Sequence, residues 1–265
     1  MAPAELNPLR IAEIAPHIVE VAFNRPHVRN AIDTATMIAL RDFFAPLEFT
    51  PGALRCIILT GVGDKAFSAG GDLKERDGMS DADWRLQHAI AEEGAKAIVD
   101  CPVPVIAAVN GAAFGGGCEL ALCCDFIIAA RHARFALPEV TRGIMPGGGG
   151  TQNLPRAIGE RRAKQLILTG AAFTAEEALA WGMVNEICDG EALMLRVRAI
   201  AQVIADNAPI AVRQAKRSIH YGEQMDLRSA LFFEIDVYNK MVSTEDRHEG
   251  VRAFNEKRKP KFKGK

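Results

Sequence analysis

The chain has 265 residues, and 49% hydrophobic against 25% charged residues is the balance of an ordinary globular protein. A formal net charge of −1 gives no general electrostatic case for binding nucleic acid or an anionic membrane. No run of about 18 apolar residues occurs, which argues against a transmembrane helix. The N-terminal MAPAELNPLR has neither the apolar stretch of a signal peptide nor the Arg/Ser-rich pattern of a transit peptide.

In chain order, Ile11–Phe23 alternates on either side of Pro16 as a hairpin would. Asp33 stands ready to cap a helix over Thr34–Phe44, with apolar residues at Met37, Leu40 and Phe44. Cys56–Thr60 reads as a buried strand that ends in the turn GVGDK. Ser80 and Asp81 open an amphipathic helix that runs to about Val99, and Val103–Val109 is a further buried strand. A helix from about Gly117, a strand over Phe126–Ala130 and an extended piece over Arg134–Leu137 follow. Pro146–Thr151 (PGGGGT) lacks the G-K-[ST] of a P-loop, and is expected to be a tight turn with Thr151 capping a helix over Gln152–Ile158. Alternating strands and helices predict an α/β fold with a largely buried sheet.

Beyond about Gly190 the pattern is helical only, over Leu193–Ala205, Ile210–Tyr221, Leu227–Val242 and Glu245–Lys257. The expected organisation is an α/β core over residues 1–190 and a helical oligomerisation region over residues 191–265. The basic end, KRKPKFKGK (Lys257–Lys265), reads as a solvated terminus, with contact to a phosphate-bearing ligand as the sharper alternative. The six cysteines form no C-x-x-C pair and are expected to be reduced, in the cytoplasm. The six histidines show no H-E-x-x-H spacing, so no metal is expected.

The chemistry is concentrated between Asn110 and Glu139. The cluster Gly115-Gly116-Gly117 leads into an apolar helical segment that carries one acid, Glu119. An acid there is costly unless it is solvated, paired or used. A second acid, Glu139, follows a proline. Alone, Glu119 could merely favour the helix dipole and Glu139 could be a surface acid. An earlier glycine pair lies in AFSAGGDLK (Ala66–Lys74). The N–H of Gly116, together with one from Gly70 or Gly71, would make a two-donor site for an oxyanion. Two carboxylates beside such donors suit general acid/base chemistry on a carbonyl compound.

These residues carry a resemblance. NRPHVRNAI (Asn24–Ile32), AFSAGGDLKE (Ala66–Glu75), PVIAAVNGAAFGGGCELALCCDFIIA (Pro104–Ala129), FALPEVTRGIMPGGGGTQNLPRAIG (Phe135–Gly159), LTGAAFTAEEALAWGMVNEI (Leu168–Ile187) and TEDRHEGVRAFNEKRKPKF (Thr244–Phe262) together resemble the crotonase superfamily, most closely its enoyl-CoA hydratases. The resemblance covers nearly the whole chain. It implies a spiral of β-β-α units, a C-terminal helical trimerisation region, and a homotrimer or a hexamer built from two trimers.

It further implies N–H donors for a thioester oxygen at Gly71 and Gly116, and the two hydratase acids at Glu119 and Glu139. Acyl-CoA contacts are implied at Arg25, Ala31, Ala69, Gly71, Asp72, Leu73 and Lys74, and an acyl pocket shaped by residues such as Trp84, Phe114 and Thr141. Gly71 departs from the alanine common in hydratases, a change of little consequence where the N–H does the work.

The implied reaction is reversible syn addition of water to a trans-2-enoyl-CoA, giving a 3-hydroxyacyl-CoA. No cofactor is implied beyond the coenzyme A of the substrate, and no nucleic-acid or membrane partner. Other crotonase-fold activities stay open at this point: a carnitinyl-CoA dehydratase-like enzyme, an enoyl-CoA isomerase or an acyl-CoA hydrolase. A non-catalytic scaffold or an RNA-binding protein of the same fold is the alternative of another class.

Overall fold

A computed structural model describes residues 7–265. Residues 1–6, which carry most of the N-terminal reading, lie outside the described residues. The chain opens with a hairpin, β1 (Leu9–Ala15) and β2 (Ile18–Phe23), followed by α1 (Thr34–Phe44). Three similar passages follow. β3 (Cys56–Gly61) and β4 (Ala66–Ser68) lead to α2 (Leu73–Arg76) and α3 (Asp81–Val99). β5 (Val105–Val109) and β6 (Ala112–Phe114) lead to α4 (Gly116–Leu122). β7 (Phe126–Ala130) and β8 (Arg134–Ala136) lead to α5 (Gly150–Ile158) and α6 (Glu160–Thr169). Then come β9 (Phe173–Thr174), α7 (Ala175–Ala180), β10 (Glu186–Cys188) and four helices, α8 (Leu193–Asp206), α9 (Pro209–Gly222), α10 (Leu227–Asn239) and α11 (Glu245–Asn255).

The first strand of each passage joins one sheet and the second strand joins another. The six-stranded sheet has the order β1-β2-β3-β5-β7-β10, and the four-stranded sheet the order β4-β6-β8-β9. Within the large sheet every pairing from β2 to β10 is parallel, and only β1 runs antiparallel. Parallel strands need both faces covered, which explains why CIILTG and VIAAV are buried at every position. α8 supplies part of that cover through Leu193, Val197, Ala201 and Ala205. This repeated strand-strand-helix turn is the spiral that the resemblance implied.

Several expected boundaries shift. α5 begins at Gly150, and its cap is Gly149 with φ 101°, so Thr151 lies inside the helix and caps nothing. Positive φ is cheap only for glycine, which suits the run Gly147–Gly150 to a sharp entry. α11 ends at Asn255, before the basic segment. That segment is solvated on its side chains, as expected, but it is not a loose tail. The N–H groups of Lys261, Lys263 and Gly264 donate to Glu249 and Asp246, and Arg55 donates to the Phe262 carbonyl. Its lysine side chains are exposed, but its backbone is tied down.

Candidate active site

The two glycine turns meet. A Cβ built on Gly70 (φ 89°) would stand 2.6 Å from the Phe114 carbonyl oxygen and 3.3 Å from the Gly116 nitrogen. A Cβ on Gly116 would be 3.9 Å from the Gly71 nitrogen. The backbones of the β4–α2 and β6–α4 connections therefore approach as only glycine permits. Gly116 opens α4, so its N–H has no acceptor within the helix. Gly71 pairs with Ile32 through a single bridge, in which the Gly70 carbonyl and the Asp72 N–H do the bonding.

Beside these nitrogens lies a cavity of about 570 Å³. Its wall includes Ala69, Gly71, Leu73, Trp84, Phe114 and Gly116, and both acids, Glu119 and Glu139. Thr141 is not part of the wall. Its hydroxyl donates to the Pro138 carbonyl and its methyl faces Gly170.

The acids sit in different surroundings. Glu119, on α4, is only 5% exposed. Its Oε1 accepts from the N–H of Gly148 and of Gly150, each at 2.8 Å. Burial raises its pKa above the ordinary carboxylate range, and the two N–H bonds pull the other way. Glu139 begins a short helical turn after β8. Its Oε2 is buried without a hydrogen-bond partner. Burial, with some repulsion from Glu119, pushes its pKa up to about 7. One acid is thus positioned by fixed donors, and burial raises the pKa of the other toward neutrality.

Four of the anticipated contacts lie outside the cavity wall. Arg25 pairs with Asp33 at 3.2 Å and with Asp72 at 3.0 Å, and donates to the Ala31 carbonyl at 2.7 Å. Asp72 also caps α2 by accepting from the Lys74 N–H. Arg25, Ala31, Asp72 and Lys74 thereby tie the Asn24–Ile32 segment to the loop that presents Gly71.

Gly148 and Gly150 were not anticipated in the site. A Cβ on either would fall within 3.0 Å of a Glu119 oxygen. In sequence they read as part of a turn, and the density of four successive glycines is the one sign that something must approach closely. Arg76 was missed as well. It lines the cavity with its guanidinium over the Trp84 ring.

A family profile described as enoyl-CoA hydratase/isomerase matches residues 13–265. The crotonyl-CoA hydratase of Syntrophomonas wolfei is 42% identical over 239 residues, covering 90% of this chain and 92% of that protein. The short-chain-enoyl-CoA hydratase of Clostridium acetobutylicum is 41% identical over 255 residues, covering 96% and 97%. A crystal structure of an enoyl-CoA hydratase from Bacillus anthracis superposes with a TM-score of 0.95 at 43% identity, covering 97% of this chain and all of that one.

Proposed function

We propose, for a chain that belongs to the enoyl-CoA hydratase/isomerase family, that Glu119, Glu139 and the N–H groups of Gly71 and Gly116 carry out its reaction. The activity is that of an enoyl-CoA hydratase, as in relatives bearing that name. The observation that carries the assignment of roles is the contrast between the acids: Glu119 is clamped by two backbone N–H groups, and Glu139 has a buried, unpartnered oxygen.

In this reading the thioester oxygen of a trans-2-enoyl-CoA accepts from Gly71 and Gly116. Charge builds on that oxygen as the enolate forms, and one such donor is worth about 3–4 kcal/mol in other enzymes. The double bond is polarised and its β-carbon becomes electrophilic. Glu119 Oε1 is saturated by Gly148 and Gly150, which leaves Oε2 to orient water and take its proton. The hydroxyl adds to the β-carbon and the enolate collapses. Glu139 gives its proton to the α-carbon, for which a pKa of about 7 is well matched. Both acids line one cavity, which supports delivery to one face of the substrate.

Ala69 and Leu73 would flank the acyl chain, and Arg25, Ala31, Asp72 and Lys74 would shape the approach for coenzyme A. The reading needs no metal or cofactor besides the coenzyme A of the substrate. It also takes the protein to be a cytoplasmic trimer or hexamer. Incubation with crotonyl-CoA tests it: 3-hydroxybutyryl-CoA should form and the conjugated-thioester absorbance should fall. Migration of the double bond or thioester hydrolysis without hydration would reject it.

A further inference from the structure

The cavity wall contains three basic side chains, Arg76, His88 and Arg142. Two of them each have one nitrogen engaged by a neighbour. His88 Nε2 lies 3.0 Å from Glu92 Oε1, and Arg142 donates to the Pro138 carbonyl and to Thr141 Oγ1. Arg76 is placed differently. Its Nε donates to Gln87 Oε1 at 2.7 Å, the only hydrogen bond of its side chain among the described residues. Its Cζ lies 4.6 Å from the centroid of the Trp84 ring. Among the described residues neither terminal nitrogen has an acceptor.

This position is built rather than incidental. Gln87 is 8% exposed, and its amide nitrogen donates to Glu75 Oε2 at 2.7 Å and to Thr34 Oγ1 at 2.9 Å. Those two acceptors force the amide oxygen toward Arg76. Gln87, through its bond to Nε, and Trp84, under the guanidinium carbon, hold the group in place. A Cβ built on Gly71 would stand 3.4 Å from Cζ and Nη1 of Arg76. The guanidinium therefore packs beside Gly71, the residue whose N–H is assigned to the thioester oxygen. Burial lowers the pKa of the guanidinium, against an opposing pull from the nearby Glu75 carboxylate.

A half-buried guanidinium with no carboxylate bonded to its terminal nitrogens is a poor lining for a plain hydrocarbon chain, since covering it with hydrocarbon would strip the remaining water from a charge. Its natural complement is a carboxylate, which can accept two parallel N–H bonds from the fork. The other charges in the wall do not cancel this preference. Asp33 is paired with Arg25, Glu119 is held by two N–H groups, and Glu139 is the acid with the raised pKa. We propose that Arg76 is a specificity-determining residue that reads a carboxylate on the acyl chain, so that the preferred substrate is a short enoyl-CoA bearing an acid group. Shortness follows from the position of the fork beside Gly71. The proposal rests on the hydratase reading of the same cavity.

The test is binding rather than turnover, with two saturated thioesters that cannot be hydrated: glutaryl-CoA, which ends in a carboxylate, and pentanoyl-CoA, of equal chain length without one. Calorimetric titration of the wild-type protein should show glutaryl-CoA binding more tightly by about 10- to 100-fold, the worth of one or two charge-assisted hydrogen bonds. Arg76→Met keeps the bulk over Trp84 and should abolish that preference. Equal affinities in the wild type, or tighter pentanoyl-CoA binding, overturn the proposal without any variant. A preference for glutaryl-CoA that survives in Arg76→Met overturns it too, because another group then reads the carboxylate. Crotonyl-CoA turnover by the same preparation judges the hydratase reading separately.

Discussion

The N–H of Gly150 donates to Glu119 Oε1 at 2.8 Å, and a Cβ added to Gly150 would stand 2.9 Å from the same oxygen. The glycine is there as both donor and absence of bulk. It also lies 31 residues from its partner, on the far side of the β7–β8 passage.

Gly150→Ala should therefore displace the carboxylate proposed to orient water. The backbone can remain helical, because Gly150 is within α5 and not at a positive φ. Misplacing a catalytic group by about 1 Å costs roughly a hundredfold. The expected outcome is a loss of that order in kcat for crotonyl-CoA, with a circular-dichroism spectrum like the wild type. Unchanged kcat would mean that the clamp on Glu119 is not needed.

The pH dependence follows from the two acids. In the proposed mechanism hydration needs Glu139 with its proton and Glu119 without one. As pH rises through about 7, free Glu139 loses that proton, so kcat/KM should fall on the alkaline side near neutrality. On the acid side Glu119 becomes protonated above the ordinary carboxylate range, because burial raises its pKa. Stability should respond as well. Glu139 binds its proton more tightly folded than unfolded, so its contribution is complete below the ordinary carboxylate pKa and is lost as pH rises through about 7. Glu139→Gln should flatten the decline in Tm across that window. A decline as steep as that of the wild type would contradict the raised pKa.

The C-terminal segment offers a separate test. Asp246 and Glu249 are buried and accept from the backbone of Lys261, Lys263 and Gly264, while the lysine side chains face solvent. Neutralising Lys261 and Lys263 together should raise KM for the thioester and leave kcat nearly alone, if these charges meet the phosphates of coenzyme A. The rise should shrink with added salt. An unchanged KM at low ionic strength would leave them without that role.

Assembly can be judged from the last helices. Leu231, Phe232, Ile235, Tyr238 and Val242 are exposed along α10 and just beyond it, Phe232 at 66%, and Phe254 on α11 is 83% exposed. Apolar surface gathered in this way calls for cover. Light scattering at micromolar concentration should give a trimer or a hexamer. A monodisperse monomer would contradict the expected assembly.

Much of this was legible in the sequence, and the parts that were not have identifiable physical causes. Glu119 could be found because an acid in an apolar helix violates a local rule, and Gly116 because it opens that helix. The strands were legible because a parallel sheet covered on both faces demands continuous apolar runs such as CIILT. Gly148 and Gly150 were not legible as site residues, because their partner is distant in sequence and a glycine run also satisfies a turn. Thr151 read as a cap by residue type, yet Gly149 at φ 101° makes the entry. The basic end read as solvated by composition. What ties it down is a set of backbone bonds to two acids in α11, which no composition reveals. Arg76 carried no sequence signal of its own, and only the fold sets it over Trp84 beside Gly71.

The most direct measurement of the central claim is hydration of crotonyl-CoA by Glu119→Gln and by Glu139→Gln. Each substitution keeps the shape and removes the acid/base function, and such groups contribute about 10²–10⁴-fold. Both variants should fold, and each should lose activity by at least the lower of those factors. Near-normal turnover by either one would contradict the assignment of hydration to these two acids.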